Sequence, residues 1–438
     1  MRRAVLVILD GLRRDMISAQ HTPNLASLAE QATAFANHHS VFPSVTRVCA
    51  ASVATGCLPS RHGLAGNTLA LSEGGRLVVH DAGHPDFLQH KRRVTGRSLA
   101  VPTLAERVAG RGGAIVFSNV SPGAAYAHDP DGQGYVYHRD GSFGPGRIAL
   151  PQSESLTVAP DIDGDRAMTE RFVGEVLGER KPALAVLWLG HPDSTQHYVE
   201  LGSPEHLQAL KAADAHAGKV IDAVEALRRA GEDNLLLVGS DHGHQTVTGA
   251  VDIADALIGA GLKQSAESQE VVVAPSGKAA LIYLPDQNPD RMAGIAAFLK
   301  RKDWTDKVVL ADELVTLGHS QRDGLAIAVS MRSDDKPNAY GVPGKAVVAA
   351  PRGTKDPGIG FGQHGGLGAR EQAPFLMIAG EGFEAGSTHV ARTSLVDIAP
   401  TVLTHLGLLA EGHDGRALQS HNDKKRIKPS MTEQETAS

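Results

Sequence analysis

The chain has 438 residues, 42% hydrophobic and 21% charged, with a formal net charge of −6 at neutral pH. That is globular composition, enough for one large domain with an insertion or for two domains. No sign of charge dominates, so no nucleic-acid-binding surface and no anionic-membrane attraction is expected.

The chain begins MRRAVLVILDG. Two arginines before an apolar run imitate a secretory leader, but the run 4–9 stops at Asp10, short of the ~7–15 apolar residues a leader needs. No stretch reaches the ~18 apolar residues of a membrane span. These features give the expectation of a cytoplasmic protein without a membrane partner. Next comes a helix over 22–32 (TPNLASLAEQA), with Thr22 and Pro23 marking its start. Cys49 and Cys57 follow in a small-residue helical stretch; two cysteines make no disulfide framework and read as buried thiols. A helix over 103–110 and a strand over 114–118 (AIVFS) lead into 120–147, a loop-like segment rich in Gly, His and Tyr. Then come a helix over 165–177, a strand over 184–189 (LAVLWL), a helix over 204–230 stopped by Gly231, and strands over 235–239 (LLLVG) and 374–378 (PFLMI). The strands are apolar almost throughout, as in sheets covered on both faces. The expected fold is α/β: a doubly wound, mostly parallel sheet with helices on both faces. Residues 245–355 break the alternation and read as an inserted cap subdomain within a core of 1–244 and 356–418. Residues 419–438 are charged, lack apolar periodicity and read as a disordered tail.

Polar residues gather just after the strands: Asp10, Asp193, and the pair Asp241–His242. Open α/β sheets build their sites at the carboxyl ends of strands. In HPDSTQH, Asp193 and His197 stand at i and i+4 and share one face of a helical turn, although alone such a pair is often a solvated surface pair. In GSDHGHQ, both Asp241 and His242 can turn inward if the backbone bends at Gly243. In GQHGGLG, His364 lies among glycines, where backbone can approach a ligand closely. In FPSVTRVCAASVATG, Thr46 opens a helix, where free N–H groups and the dipole suit a phosphoryl oxygen. Asp, His and a hydroxyl are ligands for two divalent ions, zinc being the first choice. Two such ions ~3.5–4 Å apart clamp an in-line displacement at phosphorus, and a coordinated hydroxyl becomes a nucleophile at neutral pH. The residues alone leave the substrate open.

The pieces LVILDGLRRD, HTPNLASLA, FPSVT with TGCLPSRHGLAGN, DSTQH, SDHG, QHGG and TSLVDIAPTVLTHLGL run in order from residue 4 toward residue 418. Together they resemble the alkaline phosphatase superfamily, in its nucleotide pyrophosphatase/phosphodiesterase branch. The resemblance implies an alkaline phosphatase-like core in which Asp10, Thr46, Asp241 and His242 hold one metal ion and Asp193, His197 and His364 the other. It implies that Thr46 attacks phosphorus to give a phosphothreonine that water hydrolyses. Asn67 would donate to a non-bridging oxygen beside the backbone N–H of Arg47, a type of contact worth ~3 kcal/mol in the transition state. The expected partner is a small-molecule phosphoester or phosphonate.

Some features depart from that pattern. Phosphodiesterase relatives tend to carry an apolar or aromatic residue after the nucleophile; here it is Arg47, which either forks onto a second anionic group of the substrate, or points into solvent or pairs with Asp15. HGGLGAREQAPF and DSTQH also resemble phosphonoacetate hydrolases, whose lysines after the strand matching 114–118 are replaced here by SNVSPG. Tyr126, His128, Tyr135, Tyr137 and His138 read either as a leaving-group wall or as a hairpin with exposed aromatics. His191 and His244 are candidates for substrate contact or support of the ligands. A phosphoglycerate mutase is disfavoured, since that branch uses serine and carries a large inserted domain. The alternatives are a phosphomonoesterase, a C–P hydrolase, and a metal-binding protein without turnover.

Overall fold

The computed structural model describes residues 2–351 and 353–420. Strand Arg3–Leu9 lies inside a ten-stranded sheet, parallel to Leu184–Leu189 on one side and to Asn234–Gly239 on the other. Ala114–Ser118 and then Tyr135–Tyr137 extend the parallel part. Both faces are covered, and the first strand shows how. Ala4, Leu6 and Ile8 pack with Val48, Val53, Ile398 and Val402 of two helices on one face. Val5, Val7 and Leu9 pack with Met168, Leu210, Ala217 and Val224 on the other. Period-two alternation within an all-apolar strand therefore serves two cores rather than a core and solvent. This is the doubly wound α/β fold expected from the sequence.

The helices stand close to their expected places: Pro23–Gln31, Leu104–Val108, and Pro204–Arg229 with Gly231 in the left-handed region just beyond. The helix expected over 165–177 begins earlier, at Ile162, and continues from Phe172 to Arg180 as a wider π-type coil. The strand expected over 374–378 pairs regularly only over Leu376–Ala379, antiparallel to Asn234–Gly239. Pro374 has no N–H for a ladder and makes only an isolated bridge with Arg13. Cys49 and Cys57 are both free and buried.

Between residues 245 and 363 the chain builds two further four-stranded sheets. One holds Gln245–Val251, Ser333–Pro337, Pro343–Ala349 and Gly362–Gln363. The other holds Val272–Ser276, Ala279–Tyr283, Thr305–Leu310 and Leu325–Met331. Ala274, Leu281 and Ala328 pack against Phe42, Ala70 and Leu77, which ties this region to the segments on either side of Thr46 and Asn67. The first two residues of the expected tail are held: Gln419 donates to the Thr401 carbonyl, and the Ser420 N–H to Gly382. The rest of that segment lies outside the described residues. No helix among the described residues is long and apolar enough to cross a membrane.

Candidate active site

Thr46 is the first residue of the helix Thr46–Thr55. Val45 before it is extended and no side chain caps the helix, so the first-turn N–H groups have no side-chain acceptor. The helix ends at Gly56 (φ 65°), where a Cβ would lie 2.7 Å from His413 Nδ1. The loop before Thr46 is stitched to the loop holding His364: the Ser44 N–H donates to the Gly365 carbonyl and the Ser44 hydroxyl to the Gly366 carbonyl.

Two clusters form at the carboxyl rim of the sheet. In the first, Asp10, Asp241 and His242 present ligand atoms within 4.8 Å of one another. Thr46 Oγ1 lies 3.2 Å from His242 Nε2 and 3.5 Å from Asp10 Oδ1. Asp241 Oδ1 accepts the Gly11 N–H, while Asp241 Oδ2 is buried 3.2 Å from His242 Nε2 without a hydrogen bond. Gly11 has φ +68°, and a Cβ there would lie 2.8 Å from His244 Nε2. Gly243 is not in the left-handed region; it is needed because a Cβ would meet the Arg370 carbonyl at 2.4 Å.

The second cluster is Asp193, His197, His244 and His364. Asp193 Oδ1 lies 3.4 Å from His197 Nε2, 2.7 Å from His244 Nε2 and 3.5 Å from His364 Nε2. The His364 and His242 rings stack with centroids 3.6 Å apart, so the two clusters adjoin. His364 Nδ1 sits 2.7 Å from the Ser44 carbonyl, which can only accept. Its proton is therefore on Nδ1, and Nε2 turns a lone pair toward the cluster.

The electrostatics favour cations. Burial, then the charges of Asp241 and Asp193, hold Asp10 well above the usual carboxylate range. Burial, with a contribution from Asp193, pushes Asp241 up to about 7. Burial pushes His242 down to about 3, and burial with His242 and His244 takes His364 well below the imidazole range. Burial opposes ionisation of Asp193 too, but His197 and His244 outweigh it and hold its carboxyl well below the ordinary value. Two buried carboxyls and the part-buried Asp193 beside neutral imidazole lone pairs, one carboxylate oxygen among them without a hydrogen bond, fit divalent ions as their partner.

A sequence model of the family described as type I phosphodiesterase/nucleotide pyrophosphatase matches residues 4–344. The chain belongs to that family. It is a phosphoric ester hydrolase, of a family that typically depends on metal ions. A search of the curated proteins finds no match. Among solved structures, murine ectonucleotide pyrophosphatase/phosphodiesterase 5 is similar, with a TM-score of 0.65 at 18% identity over 94% of this chain and 97% of that one. An inactive threonine-to-alanine variant of the same murine protein, in complex with AMP, gives a TM-score of 0.64 at 18% identity over 95% and 97%. Both show the same fold.

Around the two clusters of this phosphodiesterase-family chain, Arg47 does not pair with Asp15, which is held by Arg13 and Arg370. Arg47 Nε donates to Ser121 Oγ at 3.2 Å, and Nη2 lies 3.9 Å from Asp81. Its guanidinium thus reaches the SNVSPG loop after strand Ala114–Ser118. It packs so closely on Gly83 that a Cβ there would lie 2.2 Å from Nη2. The carboxylates of Asp81, Asp193 and Asp10 all act on it. The loop carrying Asn67 is joined to the same wall, since the Asn67 carbonyl accepts the Ala82 N–H; Asn67 Oδ1 is buried without a partner.

The aromatic segment matches neither alternative drawn from the sequence. Tyr126 is 4% exposed and spends its hydroxyl on the Gly141 carbonyl. Tyr137 stacks on Phe117, Tyr135 lies under Arg180, and His138 bonds the Val120 carbonyl. The tyrosine rings are taken up in the packing on the two faces of the sheet. His128 is buried against Trp188, behind Asp10. His191 bonds Thr195 through Nδ1 and leaves Nε2 buried and unpartnered. His244 is wholly buried against Asp193, inside the second cluster rather than in an open pocket.

Three contributors are not marked as site residues in the sequence, although Glu371 lies inside HGGLGAREQAPF. Trp188 Nε1 donates to Asp10 Oδ2 at 2.9 Å. Glu371 accepts the Gly366 and Gly368 N–H groups, both at 2.8 Å, and so shapes the loop of His364. Lys278, fully buried, pairs with Glu371, and its backbone N–H donates to the His364 carbonyl. The sequence signal for Trp188 is its place in an all-apolar strand, where a buried indole N–H must find an acceptor.

Proposed function

We propose that the protein is a two-metal phosphodiesterase or nucleotide pyrophosphatase working through a phosphothreonine on Thr46. The observation that supports this most is the placing of Thr46 Oγ1 at a helix start, against Asp10 and His242 and next to a second His/Asp cluster. Asp10, Thr46, Asp241 and His242 would hold one divalent ion and Asp193, His197 and His364 the other, with zinc best suited to the donors. When bound, the ions supply charge neutralisation and activation of oxygen nucleophiles. The chain's own part is orientation. Thr46 Oγ1 attacks phosphorus, the P–O bond to the leaving group breaks, and the first-turn N–H groups with Asn67 receive the non-bridging oxygens. Water then cleaves the phosphothreonine and regenerates the hydroxyl.

A cavity of about 470 Å³ opens beside the site, lined by Thr68, His197, Tyr198, Pro275, Val348 and Gln363. That is the size of a small-ligand pocket. Part of its wall comes from 245–355, which supports reading this region as a cap inserted into a core of 1–244 and 356–418. The AMP in the murine relative supports a nucleotide-like substrate. Arg47, half-buried and facing the acidic cluster, favours substrates with an anionic group beyond the scissile phosphate, such as a diphosphate.

The test is a substrate panel with T46A and T46S, combined with acid quench and mass spectrometry. Wild type should show phosphate on Thr46 during turnover, T46S should keep part of the rate, and T46A should lose nearly all of it with metal content unchanged. Normal turnover by T46A would refute the threonine nucleophile.

A further inference from the structure

Away from the strand-end clusters, a third set of side chains converges with metal-binding chemistry: Glu73, His80 and His90. Glu73 ends strand Thr68–Glu73, His80 lies in its hairpin partner Arg76–Asp81, and His90 lies in the helix Phe87–Thr95. In the hairpin register Leu69 pairs with His80 and Glu73 with Arg76. Glu73 and His80 are thus on one face of the ribbon but not opposite each other. Their side chains nevertheless extend along that face and meet, and His90 joins them from the helix. Both imidazoles direct Nε2 at the same carboxylate oxygen, at 2.6 Å from His80 and 2.9 Å from His90. The ring centroids are 4.7 Å apart. All three ligand atoms lie within 4.8 Å of one another.

We propose that Glu73, His80 and His90 form a separate divalent-cation site of the zinc type, which clamps the hairpin 68–81 to the helix 87–95. Two imidazole nitrogens and a carboxylate oxygen are a donor set that zinc takes readily, with water completing four-coordination. The side chains are 22%, 31% and 26% exposed for His80, His90 and Glu73, which leaves an open side for that water and for entry of the ion. The position gives the clamp a purpose. Thr68, the first residue of the hairpin, follows Asn67, and Asp81, its last, faces Arg47 and accepts the Gly83 N–H. An ion joining Glu73 at the turn end of the ribbon, His80 beside Asp81, and His90 of the helix would therefore stiffen the wall on which Asn67 and Arg47 rest. None of the three residues belongs to the nucleophile or ligand set of the proposed reaction.

The experiment loads chelator-stripped protein with Zn²⁺ alone and counts bound ions per chain by mass spectrometry after desalting. Wild type should hold one ion more than E73Q/H90A, whatever the wild-type total; equal counts overturn the proposal. A measurement on unaltered protein runs beside it: carbethoxylation of histidines by diethyl pyrocarbonate, mapped by peptide. Zn²⁺ should shield His80 and His90, and equal modification with and without Zn²⁺ overturns the proposal. In D10N/D193N the same shielding should persist, which separates this site from the two-metal reading: failure at the strand-end clusters removes their ions and leaves His80 and His90 protected.

Discussion

Replacing Lys278 by Met probes how the glycine loop around His364 is held. Lys278 and Glu371 are both wholly buried and paired, and Lys278 Nζ also donates to Gln245 Oε1 at 2.9 Å. Removing one member of a buried ion pair costs about 3–5 kcal/mol, because the survivor keeps its desolvation penalty. Glu371 retains two N–H donors, from Gly366 and Gly368, so the lower end, about 3 kcal/mol, is expected. The double variant K278M/E371L carries no stranded charge but orphans both glycine N–H groups, at about 1–3 kcal/mol each. It should therefore remain destabilised, and it should bind Zn²⁺ more weakly than K278M, since the loop presenting His364 has lost its acceptors. Urea unfolding of wild type, both single variants and the double variant gives the stabilities, and competition with a chromophoric chelator gives the affinities. A loss below about 1 kcal/mol in K278M, or full recovery of stability in the double variant, would refute the assignment of Glu371 as the charged organiser of that loop.

W188F removes the N–H donor to Asp10 Oδ2. Loss of such a supporting contact typically costs 10–100-fold in metal affinity, so a drop of about that size is expected in chelator competition with the fold intact by circular dichroism. R47A should lose activity selectively on substrates with an anionic group beyond the scissile phosphate, by about tenfold or more. It should leave bis-p-nitrophenyl phosphate little changed; uniform loss across the panel would assign Arg47 a structural task. His62, held between the Ser52 hydroxyl and the Leu64 N–H, is pushed down to about 3 by burial. The unfolded chain therefore binds a proton at His62 that the native chain does not, and the stability from neutral His62 is present above about pH 6.5 and falls as the pH drops toward 3, by about 2 kcal/mol at pH 5. H62Q should flatten that acid limb by about one proton in the pH dependence of unfolding free energy; an unchanged slope would contradict it.

What was legible in the sequence was whatever repeats locally. Apolar strands bounded by a polar residue gave both the sheet and the rim at which Asp10, Asp193, Asp241 and His242 stand, because a strand ends where its apolar run ends. Thr22–Pro23 and Gly231 marked helix ends through backbone chemistry that is read from the residue itself. The misreadings have one cause. Whether a polar or aromatic side chain in an irregular segment faces water, core or cleft depends on partners far along the chain. Tyr126 and Tyr137 look like pocket residues until Gly141 and Phe117 are seen to occupy them. Pro374 shortened a strand that hydrophobicity alone would have begun earlier.

The same dependence explains why the supports of the candidate site were silent. Ligands must be Asp, His or a hydroxyl, so chemistry restricts them to few letters and their clustering after strands stands out. The groups that aim them face no such restriction. His364 is oriented by a main-chain carbonyl at Ser44, its loop by Glu371, and Glu371 by Lys278 from the turn between strands Val272–Ser276 and Ala279–Tyr283. Each of these is an ordinary residue in its own segment, made consequential by a contact across the fold. Sequence pattern therefore speaks to what a site can do chemically, and three-dimensional contacts to how rigidly it is held, which is where the stability and metal-affinity measurements above bear hardest.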